Sequence, residues 1–394
     1  MSEWQETELG NIAKIKGGKR LPKGKSLVET PTNHPYIRTR DINNNKIAIN
    51  ELLFVPDDVF PSISRYIVEE RDVIISIVGT IGLCSIIPRE LHLASLSENC
   101  AKIVEIDEIV LDSQFLFYYL ISDVGQAEFE FRTVGSTQPK LPLYNIRTLP
   151  IPLPPLPEQR AIAGVLSSLD DKIDLLHRQN ETLEALAQTL FRQWFVEEAD
   201  DDWDEKKLKK VCEIKNGYAF KSSTYQDSGY RIIRTVNFEN HLLNLEGLTF
   251  VSPKHAEDFR KFNLKRFDYL LVMVGANLGN FAIVTKDVLP ALQNQNMWCF
   301  RARKGISQHY LNFAMKDIVS ENLYSASGSA RRFFQKRVFY ELNIIIPPKH
   351  LMQDFHETTE NIYSKIEHNQ VQIRTLEKLR DTLLPKLMSG VVQV

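Results

Sequence analysis

The chain states nearly the same sequence twice, and that doubling limits its folds more than any other feature. Trp4 to Trp194 is echoed by Trp203 to Gly390, and each copy closes on a long stretch with heptad-spaced apolar residues. IAKIKGG at 12–18 recurs as VCEIKNG at 211–217. Ile37-Arg38-Thr39 recurs as Ile233-Arg234-Thr235, IVGTIG at 77–82 answers to MVGANLG at 273–279, and Gly135-Ser136 answers to Gly328-Ser329. In the closing stretches Lys172-Ile173-Asp174 matches Lys365-Ile366-Glu367. A unit of this size is a globular domain plus a helix, too long for a solenoid repeat.

Composition places the chain among globular proteins of two or three domains. The start, MSEWQETELG, has neither the basic residues nor the apolar stretch of a secretion signal, and the longest apolar run, Val73 to Leu83, is too short to cross a bilayer. The expectation is a cytoplasmic protein with no membrane contact. Cys84, Cys100, Cys212 and Cys299 form no metal-like pairs and read as reduced core thiols. A net charge of -2 argues against a sequence-blind nucleic-acid binder but allows local basic faces.

Within each copy, short β-branched runs such as Val73 to Val78 alternate with helical stretches such as Ser113 to Asp123, the pattern of an α+β domain. Leu149 to Pro157 carries five prolines and excludes a helix until the last of them. From Ala161 to Phe195 a helix of roughly 50 Å is predicted. Its apolar positions are Leu166, Ile173 and Ala187 in one register and Leu169, Leu176, Leu183 and Leu190 in the other. The acidic run Glu197 to Asp202 reads as a solvated linker. After Pro347-Pro348 a second helix carries Ile362, Ile366, Ile373, Leu376 and Leu383 along its seam and stops near Gly390.

Each seam also holds an asparagine, Asn180 and Asn369, and a buried amide needs a polar partner. Placing the two face to face in an antiparallel pair matches Ile173 with Leu376, Leu176 with Ile373, Leu183 with Ile366, Leu166 with Leu383 and Ala187 with Ile362, all apolar. A parallel pair would set Asn180 against Ile373 and leave the amides unsatisfied, at roughly 1–3 kcal/mol each. The antiparallel arrangement is therefore expected, with the long stem of Arg380 covering Leu169.

No catalytic constellation is legible. Gly18 to Ser26 resembles a phosphate loop but has five residues between its glycines where four are needed. His356-Glu357-Thr358-Thr359-Glu360 begins like a zinc-protease helix, but Glu360 stands where the second histidine belongs, so the segment reads as a solvated helix face. There is no metal motif, and Gly79, Gly82, Gly275 and Gly279 read as tight turns. What recurs is a set of basic and amide-bearing loops. In the first copy these are Lys16, Lys19, Arg20, Lys23 and Lys25, then Arg38, Arg40 and Asn43, then Ser136, Gln138 and Lys140. In the second they are Lys215 and Lys221, then Arg234 and Asn237, then Ser329, Arg331, Arg332 and Lys336. Such side chains hold phosphates and pair with base edges. Their recurrence with different sequences favours two readers with different targets.

Four segments carry a family resemblance: LPPLPEQRAIAGVLSSLDDKID (153–174), TLEALAQTLFRQWF (182–195), GSTQPKLPLYNIRTLPIPLPP (135–155) and LGNIAKIKGG (9–18). The whole chain resembles a specificity subunit of a Type I restriction-modification system; copy two departs from the pattern at Pro347 to Leu351. The resemblance implies two mixed α/β target recognition domains, at 1–152 and 199–346. Two conserved helices, at 153–198 and 347–394, would form an antiparallel coiled coil with pseudo-two-fold symmetry. It further implies a non-catalytic, sequence-specific subunit that binds double-stranded DNA, each domain reading half of an asymmetric bipartite site. Two modification subunits would dock on it and bring S-adenosylmethionine; restriction subunits would bring ATP, Mg and translocation. The alternative is a non-catalytic coiled-coil scaffold with two protein-binding domains. A self-contained methyltransferase would need an Asn/Asp-Pro-Pro-aromatic motif, which the chain lacks.

Overall fold

The computed structural model describes residues 4–239, 241–323, 333–392 and 394. They form two compact units: residues 1–173 with 375–394, and residues 174–374. Each is an α+β body.

In the first unit a four-stranded antiparallel sheet runs in the order Lys14–Gly17, Cys100–Val104, Val73–Ser76, Cys84–Ile86. The second unit repeats it with Cys212–Asn216, Met297–Ala302, Tyr269–Val272 and Phe281–Ile283. Val73 to Ser76 and Tyr269 to Val272 are buried throughout, as befits apolar strands covered on both faces. A smaller mixed sheet also recurs. Pro35–Ile37 pairs antiparallel with Leu53–Phe54 and parallel with Ser95–Leu96. Tyr230–Ile233 does the same with Thr249–Val251 and Ala291–Gln293.

The proline-rich stretch is more than a helix block. Pro150–Leu153 is a strand, antiparallel to Gln5–Glu8, in a sheet of only two strands, where prolines lose no interior ladder bond. Its counterpart Asn343–Ile346 pairs with Asp204–Lys207, so each unit ties its opening strand to its closing one. A tyrosine locks each closing strand: Tyr119 donates to the Pro150 carbonyl at 2.7 Å and Tyr310 to that of Ile345 at 2.6 Å. The helix expected to run to Asp123 stops at Ile121. Ser122 caps a new helix, Asp123–Arg132, because its hydroxyl accepts from the Gly125 amide.

The first long helix spans Leu156–Arg192, with Pro157 and Glu158 in its first turn as the proline pattern allows, and continues as a π turn over Gln193–Glu197. Gln159 pins that first turn. It is fully buried, accepts from the Asp112 amide, and donates to the Val110 and Pro154 carbonyls. The second helix spans Lys349–Met388, and Gly390 follows it at φ +66°.

Segments of both helices run antiparallel inside each unit. In the second, Asn369 Nδ2 donates to Asn180 Oδ1 at 2.8 Å, with both residues buried. It also donates to Gln179 Oε1 at 2.9 Å, leaving Asn180 Nδ2 and Asn369 Oδ1 without protein partners. Ala187, Ile362 and Ile366 share that unit's core with Leu183. In the first unit Leu166 shares a core with Leu387, Met388 and Leu383. Arg380 does more than cover Leu169, since its guanidinium reaches Asp170 at 2.9 Å.

The second core is rich in aromatics. Phe191 and Phe195 pack against Tyr310 and Phe355 at centroid distances of 4.9–6.0 Å. Each such ring contributes roughly 1.5–3 kcal/mol by leaving water. All four cysteines are buried and unpaired, as expected.

Candidate nucleic-acid interface

Both units build the same edge from three sequence-distant pieces. In the first, Gly18 leaves the main sheet beside Leu96 and Ser97. A Cβ at Gly18 would collide with the Leu96 and Ser97 carbonyl oxygens, so only glycine fits. Lys19 N then donates to Leu96 O at 2.8 Å, and Ser97 N donates to Ile37 O at 3.0 Å. Gly217 repeats this against Asn294: Tyr218 N donates to Gln293 O, and Asn294 N donates to Ile233 O at 3.0 Å.

The third piece is the turn after the buried strand. Ile77 N donates to Asn99 O and Ile77 O accepts from Leu141 N, while Val78 bridges Lys140. Met273 stands between Asn296 O and Phe334 N in the same way, with Val274 bridging Phe333. The repeated glycines are turn formers, as expected: Gly79, Gly82, Gly275 and Gly279 have φ of +83°, +88°, +96° and +89°.

In the first unit this edge encloses a cavity of about 430 Å³ lined by Arg20, Lys25, Tyr36, Arg38, Thr39, Arg40, Ser97, Glu98 and Asn99 among others. Four residues singled out from sequence, Arg20, Lys25, Arg38 and Arg40, thus meet in one cleft. They are not equally available. Arg38 is clamped on buried Asp41, with Nε and Nη2 each 2.8 Å from a carboxylate oxygen. Arg40 is largely exposed. Arg20 pairs with Glu98 at 2.5 Å, which raises the guanidinium's already high pKa, and Lys25 pairs with Asp58 at 2.7 Å. Burial and the nearby Glu98 keep the Tyr36 phenol protonated well above its usual range, and its hydroxyl donates to Lys19 O.

The remaining first-copy residues lie around or away from the cleft. Lys19 stands 5.8 Å from the Tyr66 ring centroid, and Lys23 is exposed in the turn that follows. Lys16 is directed to Glu105 at 2.7 Å, beside Lys14, and these two lysines hold that carboxyl down at about 2. Asn43 is exposed on the hairpin Ile42–Asn43/Lys46–Ile47, whose turn needs positive φ at Asn44 and Asn45. Ser136 and Gln138 are exposed on the loop closed by the Val134–Lys140 bridge. That loop flanks a second cavity, of about 530 Å³, lined by Gly79, Ile81, Gln126, Thr133 and Pro139 among others.

In the second unit Arg234 occupies the place of Arg38, with one change of chemistry. Asn237, buried like Asp41, accepts from the Arg234 amide at 3.0 Å, so the turn survives without the carboxylate. Among the described residues the Arg234 guanidinium makes one long 3.4 Å bond to Gly247 O, and its Nε is buried without a partner. No carboxylate among those residues clamps it as Asp41 clamps Arg38. Lys221 is exposed before the turn Ser222–Thr224, Lys215 is half-buried on the main sheet, and Lys336 sits 5.5 Å from the Tyr340 ring centroid at the start of helix Lys336–Glu341. Ser329, Arg331 and Arg332 lie outside the described residues.

Sequence reasoning missed Ser97-Glu98-Asn99 and its counterpart Asn294-Gln295-Asn296. The available signal was a polar triplet after a short β-branched or apolar run and just before a buried strand, present in both copies.

A family profile described as Type I restriction modification DNA specificity domain matches residues 1–185 and 200–378. The chain belongs to that family. Two curated relatives from Methanocaldococcus jannaschii are similar along its full length. The Type I restriction enzyme MjaIX specificity subunit is 25% identical, over 100% of this chain and 94% of the relative. The MjaVIII specificity subunit is 24% identical, over 100% and 93%. Among solved structures, the Type-I restriction-modification S subunit from M. genitalium aligns with a TM-score of 0.66 at 17% identity, covering 98% of this chain and 96% of that one, a likeness of fold. The two family matches coincide with the doubled sequence, and the matching backbone edges of the two units are two versions of one framework.

Proposed function

We propose that this chain is the DNA-reading subunit of a Type I restriction-modification complex, with each globular domain reading one half of an asymmetric bipartite site. The observation that carries this reading is a shared framework with different side chains at matched positions. Arg38 with Asp41 corresponds to Arg234 with Asn237, and Ser97-Glu98-Asn99 corresponds to Asn294-Gln295-Asn296. Amide, guanidinium and carboxylate groups are those that distinguish base edges, so different sets imply different half-sites.

On this reading 1–152 and 199–346 are the recognition domains, and 153–198 and 347–394 are spacer and docking platform. The DNA-facing groups are the loop residues from Lys16 to Lys140 and from Lys215 to Lys336, with Ser97 to Asn99 and Asn294 to Asn296 added. The chain itself is non-catalytic. Two modification subunits supply S-adenosylmethionine chemistry, and restriction subunits supply ATP-driven translocation in the cytoplasm. No helix among the described residues is long and apolar enough to cross a membrane, which is compatible with that setting. The test is exchange of residues 1–150 for a homologous domain, followed by methylation mapping in cells carrying the modification subunit. One half-site should change and the other persist. Change in both halves, or methylation without sequence preference, would refute the reading.

A further inference from the structure

The HETTE segment is not the solvated face that its sequence suggests. His356 and Glu360, one turn apart on helix Lys349–Met388, are both half-buried, and fully buried His309 from helix Gln308–Leu323 meets them. One ring nitrogen from each histidine and one oxygen of Glu360 lie within 4.8 Å of one another, the sole grouping of this kind among the described residues. His309 Nε2 is 3.3 Å from Glu360 Oε2, and the rings of His309 and His356 have centroids 4.8 Å apart.

Two features suggest more than packing. The Nδ1 atoms of both histidines are buried with no protein partner, and native structures rarely leave such atoms without a hydrogen-bonded group, a water or an ion beside them. The other oxygen of Glu360 is held by Arg266, which also binds both oxygens of Glu367. Arg266, Glu360 and Glu367 together carry a net charge of −1, so the cluster favours a cation despite the guanidinium. Phe267 and Tyr363, with ring centroids 4.2 and 5.4 Å from that of His309, wall the group with apolar surface. The fold does not demand this arrangement. In the repeat register that aligns Lys172 with Lys365, the first copy has Ala163 and Ser167 at the places of His356 and Glu360.

We propose that His309, His356 and Glu360 bind one divalent transition metal, with Zn²⁺ the best match, clamping helix Gln308–Leu323 to helix Lys349–Met388. Two imidazoles and one carboxylate suit zinc, cobalt or nickel better than calcium or magnesium. Bonds of about 2.0–2.2 Å in a tetrahedron set donors about 3.3–3.6 Å apart, so the widest pair must close by about 1 Å or more from its present separation, leaving a fourth position for water. Arg266 then orients the ligating carboxylate, as outer partners of metal ligands do.

The test uses the full chain, stripped with chelator and dialysed against Zn²⁺ or Co²⁺. Elemental analysis should find one metal per chain, and Co²⁺ should show the intense visible bands of a tetrahedral site, bleached by Zn²⁺. His356→Gln, which leaves Arg266 and Glu360 in place, should weaken binding by more than the about 10–100-fold that loss of an outer partner costs, and Glu360→Gln should do likewise. His350→Gln, at an exposed position outside the cluster, should bind as the unaltered chain does. Far-ultraviolet circular dichroism would confirm that each variant is folded. Absence of stoichiometric metal, or equal binding by folded His356→Gln, would overturn the proposal.

Discussion

Replacing the buried asparagines tests what sets the helix register in the second unit. Asn369 is fully buried and Asn180 is 6% exposed, and among the described residues their 2.8 Å bond is the only protein bond to either Asn180 side-chain polar atom. Asn369→Leu would therefore strand the whole Asn180 amide, at about 1–3 kcal/mol, partly offset by the added apolar burial of leucine. Asn180→Leu should cost less, about 1 kcal/mol, because Asn369 retains Gln179 at 2.9 Å. The double replacement removes both amides and should match or exceed the parent, as apolar substitutes for buried polar pairs often do. The cycle should thus show a coupling of at least about 2 kcal/mol, the sum of the two single costs, with the double variant more stable than the singles predict. Urea titration followed by tryptophan emission is the assay. Trp194, Trp203 and Trp298 all belong to the second unit and only Trp4 to the first, so the signal reports chiefly on the right body. Effects that add to within about 0.5 kcal/mol would refute the amide pair as an energetic unit.

Gly18→Ala and Gly217→Ala should each cost about 3 kcal/mol or more, measured as a fall in Tm, because the new methyl meets backbone oxygens that cannot turn aside. Glu105 should titrate near pH 2, as read by carboxyl NMR, and return toward its ordinary value in a Lys14→Met/Lys16→Met variant. Since its folded pKa is depressed, its contribution to stability is present above the unfolded carboxyl value and is lost as pH falls through about 2. Arg234→Gln should weaken DNA binding in the assembled complex. A loss of about 1–3 kcal/mol confined to one base position marks base contact, and a uniform loss with a shallower salt slope marks phosphate contact. Binding unchanged at every salt concentration would remove Arg234 from the interface.

Much of the fold was legible because it rests on periodicity and repetition. Heptad spacing announced both helices, and the two asparagines announced their antiparallel pairing. The repeated IKGG and IKNG ends marked glycines that prove irreplaceable at Gly18 and Gly217. The strand in Pro150–Leu153 was not legible, because its support comes from Gln5–Glu8, more than a hundred residues earlier. The first turn of the long helix is pinned by Gln159 reaching Asp112 and Val110, 47 and 49 residues away, contacts that no local pattern announces.

The site divides in the same way. Sequence alone supplied the inventory of basic and amide side chains, since residue type and recurrence are local facts. Which of them share a cleft, and which charges survive there, was decided by tertiary structure. Arg38 and Arg234 look alike in sequence, but a buried carboxylate clamps one and a buried amide stands in the carboxylate's place beside the other. Ser97 to Asn99 enter the cleft only because backbone bonds from Gly18, Lys19 and Ile77 draw strands together around them. His309 meets His356 and Glu360 only because two helices pack. Periodicity travels along a chain and is written in it, whereas the partner of a charge comes from elsewhere in the chain and exists only once the chain has folded.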